Sequence, residues 1–217
     1  MAKLRITYNA PVVLTFTLAA VVVFLVTRSG EGAQSWFMAY PGFEYGTHTY
    51  VGLFSHILGH QNWQHLIGNF TLILLLGPIL EERWGSVSLL LMILLTALVT
   101  GLINATIASH PLLGASGVVF MMILLASMAN VRAGEIPLTF IVIALVYLGG
   151  EIVGEVKGGD NVSHMGHLIG GVVGAIFGFI GAKQKDTGAA GKPIGLGGMG
   201  ASAKPKKPLS LDDLDKL

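Results

Sequence analysis

The chain has 217 residues, of which 53% are hydrophobic and 12% charged, with a formal net charge of +1 and no cysteine. Soluble domains carry about 25% charged residues, so an ordinary water-soluble globule is excluded and composition favours a membrane protein. The near-zero charge gives no sign of a nucleic-acid partner, and the lack of cysteine excludes disulfides and thiolate metal sites.

A bilayer core about 30 Å thick needs roughly 20 apolar helical residues, with about 17 as a lower bound. Residues 1–10 form a short N-terminal segment, and a first span is expected at 11–27. That segment superficially resembles a signal peptide, but its small-residue cleavage pattern is poor and more apolar segments follow, so it reads as a retained span. Residues 28–62 make a long loop holding Trp36, Phe37, Tyr40, Phe43, Tyr45 and Tyr50, aromatic types that favour the membrane–water interface. Further spans are expected at 63–80, 86–108, 115–131, 136–152 and 165–183. From 184 to 217 the sequence turns rich in Gly, Pro and Lys, which predicts a flexible tail that cannot bury enough apolar surface to fold.

Six spans place both termini on one side. If that side is cytoplasmic, it receives Lys3, Arg5, Arg83, Arg132 and the seven lysines from Lys183 onward, eleven of the thirteen basic residues. Only Arg28 and Lys157 fall on the other side. The positive-inside rule thus supports an all-α, six-helix membrane bundle with cytoplasmic N- and C-termini.

In this topology all seven histidines, His48, His56, His60, His65, His110, His164 and His167, lie in outer loops or at outer ends of spans. Spans two, four and six start on that side with "HQNWQHLIGN", "LGASGV" and "SHMGHLIGG". Polar residues within spans normally face the bundle interior or a water-filled cavity, and are functional candidates by default.

Ser116 opens the fourth span between Gly114-Ala115 and Gly117. Alone, such a motif serves equally as a helix cap and packing site. As a nucleophile, Ser116 would gain from neighbouring glycines that admit a substrate backbone and from a helix N-terminus able to stabilise an oxyanion. A nucleophilic serine also needs a base within hydrogen-bond reach. His167 heads the last span, one turn before the stripe Gly170, Gly174 and Gly178, the small-xxx-small device by which membrane helices pack closely. A helix docked on that stripe comes close to His167, and the fourth span is the natural candidate. His65 and Asn69, four residues apart, share one face of the second span. They form either an interhelical hydrogen-bond pair or donors for a tetrahedral intermediate.

Together these residues resemble the rhomboid family of intramembrane serine proteases. The matching elements are His65-x3-Asn69, Gly114-Ala115-Ser116-Gly117 and His167-x2-Gly170-x3-Gly174, with Glu81 and Arg83 in "LEERWGS" similar to the family's Glu-x-Arg element. The resemblance covers about residues 10–183 and implies a catalytic domain over 11–183. It implies Ser116 as nucleophile and His167 as general base and acid, a dyad with no orienting carboxylate. It adds the Ser116 backbone N–H to His65 and Asn69 in an oxyanion hole. It further implies transmembrane protein substrates cut near the outer leaflet, with no cofactor and no metal. Two positions depart from the pattern. Val51-Gly52 stands where many members carry Trp-Arg, which touches the anchoring of the first loop. Phe120 replaces a tyrosine that packs on the catalytic histidine, keeping the ring and losing the hydroxyl.

Two other classes compete. A non-catalytic rhomboid-like protein would bind membrane clients, but inactive relatives generally lack the serine or the histidine. A metal enzyme or transporter could use His56 with His60 or His164 with His167, but no His-Glu-x-x-His is present and no acidic ligand falls inside a span. His56 and His60 otherwise read as hydrogen-bonding residues shaping the first loop and the mouth of the site. The expected location is a bacterial or archaeal inner membrane.

Overall fold

Proline, glycine and one buried carboxylate set where the helices begin and turn. The computed structural model describes residues 6–29, 32–128, 136–157 and 164–186. Among them the chain forms seven α-helices: α1 (Pro11–Ser29), α2 (Thr47–Ser55), α3 (Trp63–Trp84), α4 (Ser86–Ile107), α5 (Ser116–Ser127), α6 (Leu138–Lys157) and α7 (His164–Asp186). Short 3-10 turns occupy Ala33–Phe37 and His56–Leu58.

Pro11 opens α1, a position where its missing N–H costs nothing. The next two N–H groups, of Val12 and Val13, donate to the two carboxylate oxygens of Glu81, each at 3.0 Å. Glu81 is buried near the end of α3, so a negative charge sits at the positive end of the α1 dipole. At its other end α3 is capped by the Asn62 side chain, which accepts from the His65 N–H at 2.8 Å. Gly85 alone, at φ +82°, turns the chain from α3 into α4.

Helix α5 is the core. All eight residues from Val118 to Leu125 are buried, as expected of a helix apolar on every side. It packs against α3, α4, α6 and α7, while α1 lies outside on α3. The outward faces carry exposed Leu18, Val22 and Leu25 on α1, Leu75 and Ile79 on α3, and Leu145 and Val146 on α6, surface suited to lipid rather than water. The chain is an integral membrane protein by this composition.

Of the six expected spans, three form helices long and apolar enough to cross a membrane, within α1, α3 and α4. Helix α5, of 12 residues, is a shorter apolar helix, and the described stretches Leu138–Gly150 of α6 and His164–Ile180 of α7 are apolar as well. The fourth was expected to reach 131, but α5 stops at Ser127, about 18 Å from its start. Enclosure by its neighbours is what permits so short a segment at membrane depth. Helix α6 runs to Lys157, past the expected end at 152, which removes part of the connection before α7. The first loop is more ordered than aromatic content suggested. It holds α2 and both 3-10 turns, and residue Ala39 pairs with Leu112 by two backbone hydrogen bonds of 2.8 and 2.9 Å. Lys3, Arg5, Arg132 and the tail from 187 onward lie outside the described residues.

Candidate active site

The N-terminal ends of α3, α5 and α7 meet at one end of the bundle, opposite Glu81. Gly114 sits directly over the α3 pair. Its φ of +120° is unfavourable for any side chain, and a Cβ there would lie 2.6 Å from His65 Cε1 and Nε2 and 3.7 Å from Asn69 Nδ2. The loop leading to Ser116 can therefore pass over the α3 pair only as glycine. The Gly114 N–H donates to the His56 carbonyl at 2.9 Å. Two residues later half-buried Ser116 starts α5.

Helix α7 is set against α5 by the glycine stripe. A Cβ on Gly170 would overlap the Gly117 carbonyl, one on Gly174 the Met121 carbonyl, and one on Gly178 would come within 2.7 Å of Met128 Sδ. This register brings His167 over Phe120, with parallel rings (7°) and centroids 4.5 Å apart. His65, packed beneath Gly114, is joined to the same end of the bundle through the loop that delivers Ser116. Ser116, His65, Asn69, His167 and Phe120 therefore belong to one neighbourhood drawn from three helices. Gly117 also has a packing role. Its missing Cβ faces Thr100 Cγ2 at 3.2 Å and the Gly166 carbonyl at 3.3 Å, so the backbone that approaches it belongs to α7.

A second layer supports this one, and sequence reasoning resolved it only as loop-shaping histidines. His56 Nδ1 donates to the Gly52 carbonyl at 2.9 Å, and its Nε2 lies 3.2 Å from the Thr100 hydroxyl. His60 Nδ1 donates to the Leu58 carbonyl at 3.1 Å. Its Nε2 lies 3.1 Å from Asn69 Nδ2 and 3.5 Å from the Ala115 N–H. Burial pushes both imidazoles down to about 4, so both rings are neutral at neutral pH. Asn104 donates to the carbonyls of Ala39 (2.9 Å) and His110 (3.2 Å), tying the first loop to the segment before Ser116. At Val51-Gly52, the pair that departs from the family pattern, Gly52 packs directly on the Met38 backbone carbonyl, where a side chain would not fit. Nothing in the sequence marks these pairings except the i, i+4 spacing of His56 and His60, because each partner comes from another element. Among the described residues, no three His, Cys, Asp or Glu side chains gather in a way that could hold a metal ion.

The family described as the Rhomboid domain matches residues 47–184. Over 178 residues the chain is 26% identical to a protein named Rhomboid protease GlpG from Haemophilus influenzae, an alignment covering 80% of this chain and 92% of that one.

Proposed function

This chain belongs to the rhomboid family, and from that membership and the meeting of α3, α5 and α7 we propose that it is an intramembrane serine endopeptidase. The supporting observation is the α5–α7 seam, which holds Ser116 and His167 at the heads of two helices packed backbone to backbone. The similarity to a bacterial rhomboid protease supports the same reading.

In this mechanism the Ser116 hydroxyl oxygen attacks the scissile carbonyl carbon while the His167 imidazole takes its proton. The resulting oxyanion accepts hydrogen bonds from the His65 ring N–H, the Asn69 amide and the Ser116 backbone N–H, preorganised donors of the kind that supply the largest catalytic contribution. Collapse breaks the C–N bond, and His167 gives its proton to the leaving amine. Water, deprotonated by His167, then attacks the acyl ester, releasing the new carboxyl terminus and returning the proton to Ser116. No carboxylate is needed to orient the histidine, because Phe120 holds the ring by its flat face.

Substrates are transmembrane proteins. A helical backbone hides its carbonyls in hydrogen bonds, so the cleaved segment must unwind locally, and small or helix-breaking residues are expected near the bond. The positive-inside distribution supports a cut near the outer leaflet, and the similarity to a bacterial protein supports a bacterial or archaeal inner membrane. Purified protein in liposomes with a co-reconstituted transmembrane substrate tests the reading. Wild type should cleave with EDTA present, while Ser116→Ala and His167→Ala should lose at least about 10³-fold in rate. Undiminished product from Ser116→Ala would overturn the proposal. If no variant cleaves, a fluorophosphonate probe decides: labelling of Ser116 that depends on His167 supports a protease, and no labelling supports a non-catalytic binder of membrane clients.

A further inference from the structure

A histidine ring with one proton offers one donor and one acceptor, and its partners reveal which is which. At His60 the answer is forced. Nδ1 faces the Leu58 carbonyl, which can only accept, so the proton sits there. Nε2 is then a bare lone pair, and both groups in front of it are donors: the Asn69 side-chain amide at 3.1 Å and the Ala115 N–H at 3.5 Å. The ring is 2% exposed and is held by edge contacts with His65 (centroids 5.0 Å) and Phe70 (5.6 Å).

The consequence falls on Asn69. A carboxamide can turn over, exchanging its nitrogen and oxygen, unless a neighbour discriminates between them. The acceptor at His60 discriminates. It draws the Asn69 nitrogen to the side where it also lies 3.7 Å from the Cβ position of Gly114, beside the loop that delivers Ser116. The opposite orientation would put a carbonyl oxygen there, facing any developing oxyanion with negative charge instead of an N–H.

We propose that His60 is a positioning residue for the oxyanion pocket, its Nε2 lone pair fixing the Asn69 carboxamide nitrogen inward. This rests on the proposed role of Asn69 as an oxyanion donor. It makes the first loop part of the catalytic geometry, since the segment 56–60 also accepts the Gly114 N–H.

Two substitutions separate orientation from mere filling of space. Asn at position 60 reproduces the Nδ1 side of the ring and can keep the Leu58 bond, but it has nothing at the Nε2 position. Gln can place an acceptor oxygen near Nε2. In liposomes with the full-length protein, His60→Asn should lower kcat at least about tenfold with KM within about twofold, whereas His60→Gln should stay within about threefold of wild type. The decisive measurement repeats His60→Asn in an Asn69→Ala background. If His60 acts through Asn69, the second substitution should cost less than about threefold there. An equal loss in both backgrounds would overturn the positioning role while leaving Asn69 as a donor. An Asn69→Ala variant with wild-type kcat would overturn both this inference and the oxyanion role of Asn69. Should His60→Asn fail to fold in detergent, His60→Leu, which fills the site without an acceptor, carries the same cycle, and a kcat loss that persists undiminished without Asn69 overturns the positioning role.

Discussion

Phe120 offers the His167 imidazole of the proposed dyad a flat hydrocarbon face, with 4.5 Å between centroids. Such ring pairs contribute about 0.5–1.5 kcal/mol beyond their buried area, so Phe120→Ala should lower kcat by about 2- to 10-fold, and Phe120→Tyr should restore it. Steady-state cleavage by the two variants checks this; equal loss in both would mean the hydroxyl disturbs the pocket rather than the stack supporting it. The buried His56 and His60 make a different claim at the same scale. Both have folded values near 4 against 6.5 for an ordinary histidine. The unfolded chain therefore binds more protons between these values, and the stability the neutral rings contribute is whole above about 6.5 and lost as pH falls toward 4. Thermal unfolding in micelles should show a melting temperature that declines over that window, and His56→Gln should flatten the decline. Ser116, His167, His65 and Asn69 could be singled out in the sequence because fixed spacing along a helix puts each near a span end. The His60–Asn69 and His56–Thr100 pairs could not, since only folding brings the first loop onto α3 and α4.

At the scale of elements, the seam between α5 and α7 carries the site. A methyl on Gly174 would run into the Met121 backbone, which cannot yield as a side chain does. Gly174→Ala should therefore cost about 1–3 kcal/mol or more through overpacking and separate Ser116 from His167, abolishing cleavage. Gly149 and Gly150 in α6 have nothing within 4 Å of the Cβ position, so alanine at either should leave stability within about 1 kcal/mol and activity near wild type. Unfolding midpoints and turnover for the three variants would expose a wrong register, since a loss at Gly149 as large as at Gly174 is incompatible with the packing. The seam was legible beforehand because small residues at i, i+4, i+8 have one obvious use in a membrane. The length of α5 was not, because hydrophobicity gives the same signal for a helix that faces lipid and one enclosed by protein. Helix α2 was hidden as well: its nine residues mix polar and aromatic types without a clear period.

For the whole molecule, the Glu81 clamp and the candidate site mark opposite ends of the bundle. The N–H groups at the start of α1 meet the end of α3 at one end, and Ser116 and His167 start their helices at the other. The positive-inside expectation assigns the first end to the cytoplasm. The sequence contains no cysteine, so single cysteines introduced for labelling need no background removed. Glu44 and Glu82 are both exposed, one in the first loop and one at the end of α3, and Ser202 lies in the tail. In intact cells a membrane-impermeant maleimide should modify Glu44→Cys, while Glu82→Cys and Ser202→Cys should react only after the membrane is opened. Labelling of Ser202→Cys together with Glu44→Cys would require an odd number of crossings between α3 and the tail and would remove the six-span arrangement. Labelling of Glu82→Cys and Ser202→Cys from outside, with Glu44→Cys protected, would keep six spans and invert them, placing the proposed cut in the inner leaflet. The expected pattern instead leaves α3, α5 and α7 all starting on the outer side, which parity requires if three separate polar motifs are to share one depth.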